Sequence, residues 1–170
     1  MDFREKTLTK ICGFYVSDWH LVTMILPYIN EKVEKGAKIT TILEKDIEEN
    51  VITLLKKLNL KDEEKILNIN WKKNNKNKLT LNVENQNQEL IVIINGNKDF
   101  IEEKNKKISK YFKTHIISNN IRIINLYEIT EFNGSITEIL DEHDKMINTS
   151  GEKEISDVFE EYKEENKKAI

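Results

Sequence analysis

The chain has 170 residues, of which 34% are charged with a net charge of −3, and it holds five glycines, one proline and one cysteine. That length suits one domain with a sizeable core, while scarce Gly and Pro leave no flexible linker. Charges that nearly cancel give no field to gather nucleic acid, a lone cysteine excludes an internal disulfide, and no apolar run reaches the roughly 18 residues of a membrane span. The N-terminus MDFREKTLTK is charged and lacks an apolar leader, so a cytoplasmic setting is expected.

Ile11 to Val16 reads as a buried strand, with Cys12 inside it as a small hydrophobe. A helix from about Asp18 to Lys35 follows, its Val22, Ile25, Leu26, Ile29 and Val33 at helical spacing, with Pro27 predicted to kink it and Gly36 to stop it. Lys38 to Leu43 is a second strand. Ile47, Val51, Leu54, Leu55 and Leu58 mark a second helix, and Lys65 to Trp71 a third strand. After the polar run Lys72 to Lys78, the alternation of Leu79, Leu81 and Val83 predicts a half-exposed strand. Leu90 to Ile94 is apolar at every position, as in a central parallel strand covered on both faces.

A helix from Lys98 to Thr114 then turns Ile101, Ile108, Tyr111 and Phe112 inward, and Ile121 to Ile129 forms the next strand. Ser135 to Ile147 is predicted as a helix with Ile136, Ile139, Leu140, His143 and Ile147 on one face. The expectation is a three-layer α/β domain over residues 1–150, with a mostly parallel sheet and helices on both faces. Residues 151–170 are set apart by Gly151 as a connector or docking helix. Its narrow stripe of Ile155, Val158, Phe159 and Tyr162 suits a partner helix or a homodimer.

The first strand, turn and helix have the layout of a nucleotide-binding unit without its phosphate grip. A P-loop needs GxxxxGK[ST], whereas the turn here reads Val16-Ser17-Asp18-Trp19-His20. In RecA-type ATPases a strand like LIVII ends in a carboxylate that holds magnesium; this one ends in Asn95-Gly96-Asn97. ATP hydrolysis is therefore not expected, and the fold reads as RecA/Rossmann-like without a P-loop. Three histidines and one cysteine show no metal spacing, and no cofactor is implied. Ser17 lacks a GxSxG context, and helix capping explains it. His143 reads as a core histidine with a satisfied hydrogen bond, and His20, opening a helix at a strand end, is the stronger candidate of the three.

Tyr15, Trp19, Trp71 and Tyr127 each lie at or just beyond a predicted strand's carboxyl end. In a parallel sheet they converge on one rim and wall an apolar pocket with Asp18, His20 and Asn95, or else they are core aromatics beneath the loops. Both readings stand at this point.

Two blocks add a resemblance. ICGFYVSDWHLVTMILPYINEKVEKGAKITTIL has a strand ending in Phe-Tyr, a polar turn, a helix with a mid-helix Pro, then Gly before an apolar strand. INLYEITEFNGSITEILDEHDKMI has a strand carrying a Tyr, a later Phe, a helix, and a late His. This pattern resembles the MEDS family, the methanogen/methylotroph DcmR sensory domain, itself similar to a degenerate KaiC/RecA ATPase. Lys10 and Asp144 stand where that family has His and Pro. The resemblance implies a sensory domain for small organic molecules, working with a histidine kinase or a DNA-binding transcription regulator. It places Phe14, Tyr15, Tyr127, Phe132 and His143 on the family pattern. A protein-interaction module without a small ligand, and a residual nucleotide-binding ATPase relative, are the alternatives.

Overall fold

Apolar runs alternating with amphipathic stretches become, in the computed structural model, strands alternating with helices. The structure describes residues 8–74, 87–115, 117, 119–129 and 136–158. In chain order these form β1 (Leu8–Tyr15), α1 (Asp18–Glu34), β2 (Lys38–Leu43), α2 (Glu48–Lys57), α3 (Glu63–Leu67), β3 (Leu90–Gly96), α4 (Lys98–Thr114), β4 (Ile121–Glu128), α5 (Ile136–Asp141), β5 (Lys145–Asn148), β6 (Gly151–Lys153) and α6 (Ile155–Val158).

The six strands make one sheet in the order β2-β3-β4-β1-β5-β6. All neighbours run parallel except the antiparallel β5 and β6. Because strand side chains alternate between faces, each inner strand feeds two cores. Ile11 and Tyr15 of β1, Ile91 and Ile93 of β3, and Ile124 and Leu126 of β4 enter one, which α1, α2 and α3 close with Leu21, Ile25, Leu55 and Ile66. Cys12, Val92, Ile94, Ile123 and Tyr127 enter the other, closed by Ile101 and Ile108 of α4 and by Ile139 and Leu140 of α5. The expected mostly parallel sheet with helical layers is the architecture found.

Four local expectations change. Lys65 to Trp71 is not a strand: α3 occupies its first half, and short apolar runs do not distinguish the two states by periodicity. The stretch after α3 instead runs beside β2. Asn74 donates its backbone N–H to Leu43 O at 2.9 Å and its side-chain amide to Thr41 O at 2.8 Å, and Ile47 N–H donates to Trp71 O at 3.0 Å. The Thr41 hydroxyl completes the seam by donating to Asn70 O. Carbonyls that an edge strand would leave open are thereby paired.

The helix expected to reach Ile147 ends at Asp141, and Lys145–Asn148 is a strand. Met146 and Ile147 go to opposite cores, which suits strand alternation and not one helical face. β3 is buried at every position as expected, but the middle of the sheet is β4 and β1; full burial requires only cover on both faces. Gly151, at φ +96°, opens β6 inside the β5–β6 hairpin, so the chain beyond residue 150 rejoins the sheet before any helix begins. Ile155 and Val158 are half-buried against the α4-side core, so that half of the supposed partner stripe is partly covered by the chain itself. Phe159, Tyr162, Phe132 and the Leu79 to Val83 alternation lie outside the described residues. Helix α1 runs through Pro27, which is exposed.

Candidate functional site

The chain leaves β1 into α1, over one core, and leaves the adjacent β4 towards α5, over the other. Connections that diverge to opposite faces open a crevice beyond the carboxyl ends of the two strands, where open α/β sheets bind ligands. The last register pair of β1 and β4 is Tyr15 with Glu128. Just past it stand Val16, 55% exposed, and Ile129, 39% exposed, with Trp19 at 48% in the first turn of α1. Of the exposed large hydrophobics among the described residues, only Leu8 and Leu67 lie elsewhere.

The β1–α1 turn is closed by its own hydrogen bonds. Ser17 caps α1, its Oγ accepting from His20 N–H at 3.1 Å, and His20 Nδ1 accepts from Val16 N–H at 3.1 Å. Asp18 in the first turn complements the positive helix end. His20 is thus engaged in shaping the turn, and Trp19 is the side chain the turn presents to solvent.

Beside this crevice, Asn95 at the end of β3 is fully buried. Its Oδ1 accepts from Glu44 N–H at 2.9 Å, while Glu44 Oε1 accepts from Asn97 N–H at 3.0 Å and Asn97 Oδ1 caps α4 through Phe100 N–H at 2.8 Å. Lys45 reaches across to pair with Glu128. The Asn95 Nδ2 amide has no hydrogen-bond partner among the described residues, a costly state for a buried donor. Glu44, Lys45 and Glu128 were not singled out from the sequence. The signal available was their position, each at a strand's carboxyl end or within two residues beyond it.

The aromatic rim does not assemble as expected. Tyr15 is fully buried in the α1-side core, and so in effect is Trp71, whose indole N–H donates to Ile66 O at 2.8 Å. Phe14 and Tyr127 face the α4 side, because alternation sends neighbouring residues of β1 to opposite faces and Tyr127 is the register partner of Phe14. Of the predicted ligand residues, only Asp18, Trp19, His20, Tyr15 and Asn95 remain near the β1 and β3 ends on one side.

On the α4 side, the Tyr127 ring meets the edge of His143 at 6.0 Å. His143 Nδ1 donates to Ile139 O at 2.6 Å, and its Nε2 accepts from Asn125 Nδ2 at 2.9 Å. Burial holds the imidazole neutral by pushing its pKa below the usual 6.5. The reading as a satisfied core histidine holds, although the residue follows α5 and is not on its face. A cleft of about 580 Å³ opens here between α4 and β4.

Among the described residues, no group of three or more His, Cys, Asp or Glu is placed to hold a metal, and no helix is long and apolar enough to cross a membrane. No family model matches the sequence, and no curated protein or solved structure is significantly similar to it. The likeness to MEDS domains therefore rests on the two sequence blocks alone.

Proposed function

We propose that the chain is a non-catalytic, regulatory ligand-binding domain that takes a small organic molecule at the crevice beyond β1 and β4. The observation carrying this reading is Trp19: a large aromatic held out at 48% exposure beside Val16 and Ile129, at the place where this class of sheet binds ligands. A turn without a P-loop, and an Asn95 oxygen engaged by Glu44 N–H, argue against ATP turnover.

A cytoplasmic domain of this kind would report to a histidine kinase or a transcription regulator, as the MEDS resemblance implies. In the alternative, the same exposed patch contacts a protein directly. The test uses the two indole N–H resonances, with Trp19→Phe to assign them, in a screen of small organic molecules. A binder at the crevice shifts the Trp19 signal and leaves that of Trp71 in place, and Trp19→Ala abolishes its effect on the melting temperature. Binders that act equally on the Trp19→Ala protein, or magnesium-dependent ATP hydrolysis by the purified chain, would overturn the proposal.

A further inference from the structure

The cleft on the α4 side is walled by one face of a helix and floored by a strand. Lys106, Ser109, Lys110 and Lys113 lie along α4, and Lys10 of β1 faces them. Glu102 and Glu142 are the acidic residues of the lining, leaving two positive charges in excess. Elsewhere on the same helix lysines are matched to carboxylates: Lys98 with Glu138 at 3.2 Å and Lys107 with Glu103 at 3.2 Å. None of the four cleft lysines belongs to an ion pair among the described residues. Four lysines thus line one concave surface, three of them exposed on α4, and a bound anion would meet positive charge from both walls.

The floor is rigid and polar. Asn125, 1% exposed within an otherwise apolar strand, exchanges amide hydrogen bonds with Asn105 at 2.9 and 3.3 Å and donates to His143 at 2.9 Å. Asn105 also donates to Ile101 O at 2.8 Å. Buried polar residues in a strand are costly unless they are fully satisfied, and satisfied networks fix their members in place. Lys10 is similarly held, its backbone N–H donating to Asp144 Oδ2 at 2.9 Å and its carbonyl accepting from Asp144 N–H at 2.8 Å. Tyr127 ends the floor, one ring face stacked on Phe14.

From this arrangement we infer that the α4 cleft is a second binding site, separate from the crevice beyond β1 and β4, and that it takes a small phosphomonoester. A phosphomonoester is close to a dianion at neutral pH and matches the excess of two charges, and lysine ammonium groups bind phosphate as point charges. At about 580 Å³ the cleft has the size of a small-molecule site and not of an extended polymer track. Ser109, exposed on α4, offers a hydroxyl to a polar body such as a sugar.

The probes are AMP, ribose 5-phosphate, inorganic phosphate and uncharged adenosine, titrated into the ¹⁵N-labelled full chain at low salt. AMP, ribose 5-phosphate or both shift the backbone resonances of Ser109, Lys110 and Tyr127, with inorganic phosphate weaker and adenosine silent. Lys106→Glu with Lys110→Glu weakens that binding about tenfold or more, as expected for losing two charge contacts, and leaves the urea midpoint unchanged. Lys107→Glu, one position round the helix, changes binding less than threefold, or about 0.6 kcal/mol. The inference is overturned if neither phosphomonoester moves these resonances, or if the double charge reversal binds them as well as the native chain.

Discussion

Phe14 and Tyr127 are register partners on adjacent parallel strands, and their rings stack at 5.8 Å with 30° between planes. The contact joins β1 to β4 at the centre of the sheet, and Tyr127 also lines the α4 cleft. Aromatic pairs of this geometry contribute about 0.5–1.5 kcal/mol beyond the area they bury. A double-mutant cycle with Phe14→Leu and Tyr127→Leu, read by urea denaturation, is expected to give a coupling energy in that range; additive effects would mean the rings act independently.

The two tryptophans should behave as opposites. Trp19→Ala is expected to change stability by no more than about 0.5 kcal/mol, as for exposed positions, whereas Trp71→Ala should cost about 3–5 kcal/mol by emptying the core and orphaning Ile66 O. Equilibrium unfolding of the two variants checks this, and a large loss for Trp19→Ala would remove it from the candidate site.

His143 links stability to pH. Its folded pKa lies below the unfolded value of about 6.5, because burial disfavours the imidazolium by more than the hydrogen bond to Ile139 O favours it, while repulsion from Lys10 is countered by Glu142 and Asp144. The unfolded chain therefore binds more protons as pH falls, so this contribution is complete above about pH 6.5 and is lost below it. Between pH 7.5 and 5.5 the native chain should lose more stability than His143→Gln does, measured as the difference in unfolding free energy. Parallel pH profiles for the two proteins would refute the assignment.

Cys12 serves as a built-in reporter. Burial pushes its thiol pKa up to about 12, and its Sγ lies 3.7 Å from Lys145 O, between β1 and β5. A thiol reagent at pH 8 is expected to leave the native chain unlabelled and to react at once in denaturant. Rapid labelling without denaturant would mean that β5 separates from β1 in the native state.

Gly13 marks a close approach between strands and side chains. A Cβ there would meet Ile147 Cγ2 at 2.8 Å and Leu126 Cδ2 at 2.9 Å, both inside the packed α1-side core. Gly13→Ala is expected to destabilise by about 1–3 kcal/mol, visible as a lower melting temperature.

Long periodic segments were legible in the sequence. The helix read from Lys98 to Thr114, with Ile101, Ile108, Tyr111 and Phe112 inward, has the bounds of α4, and β3 announced itself by five consecutive apolar residues. Elements shorter than one clear period were not: α3 and β5 are five and four residues long, too short for spacing to separate helix from strand. The same limit scattered the aromatic rim. One residue of register decides which face a strand residue joins, and nothing in the string FY says which of Phe14 and Tyr15 pairs its ring with Tyr127. The cleft lysines were invisible as a group because Lys10 is brought to α4 only by the sheet order, and the chain is rich in lysine throughout.

The position of β1 has a consequence for how the chain is made. Among the described strands, β1 is synthesised well before the two that flank it, β4 and β5, with Leu8 beside Ile121 and Cys12 beside Met146. At typical elongation rates of ~5–20 residues per second, the apolar stretch Ile11 to Tyr15 waits on the order of ten seconds for its neighbours to be synthesised. Pairings so distant in sequence form slowly because a long loop must close first. During that interval α1 can cover only one face of the strand, and its unpaired edges are what a chaperone, or another nascent copy, would find.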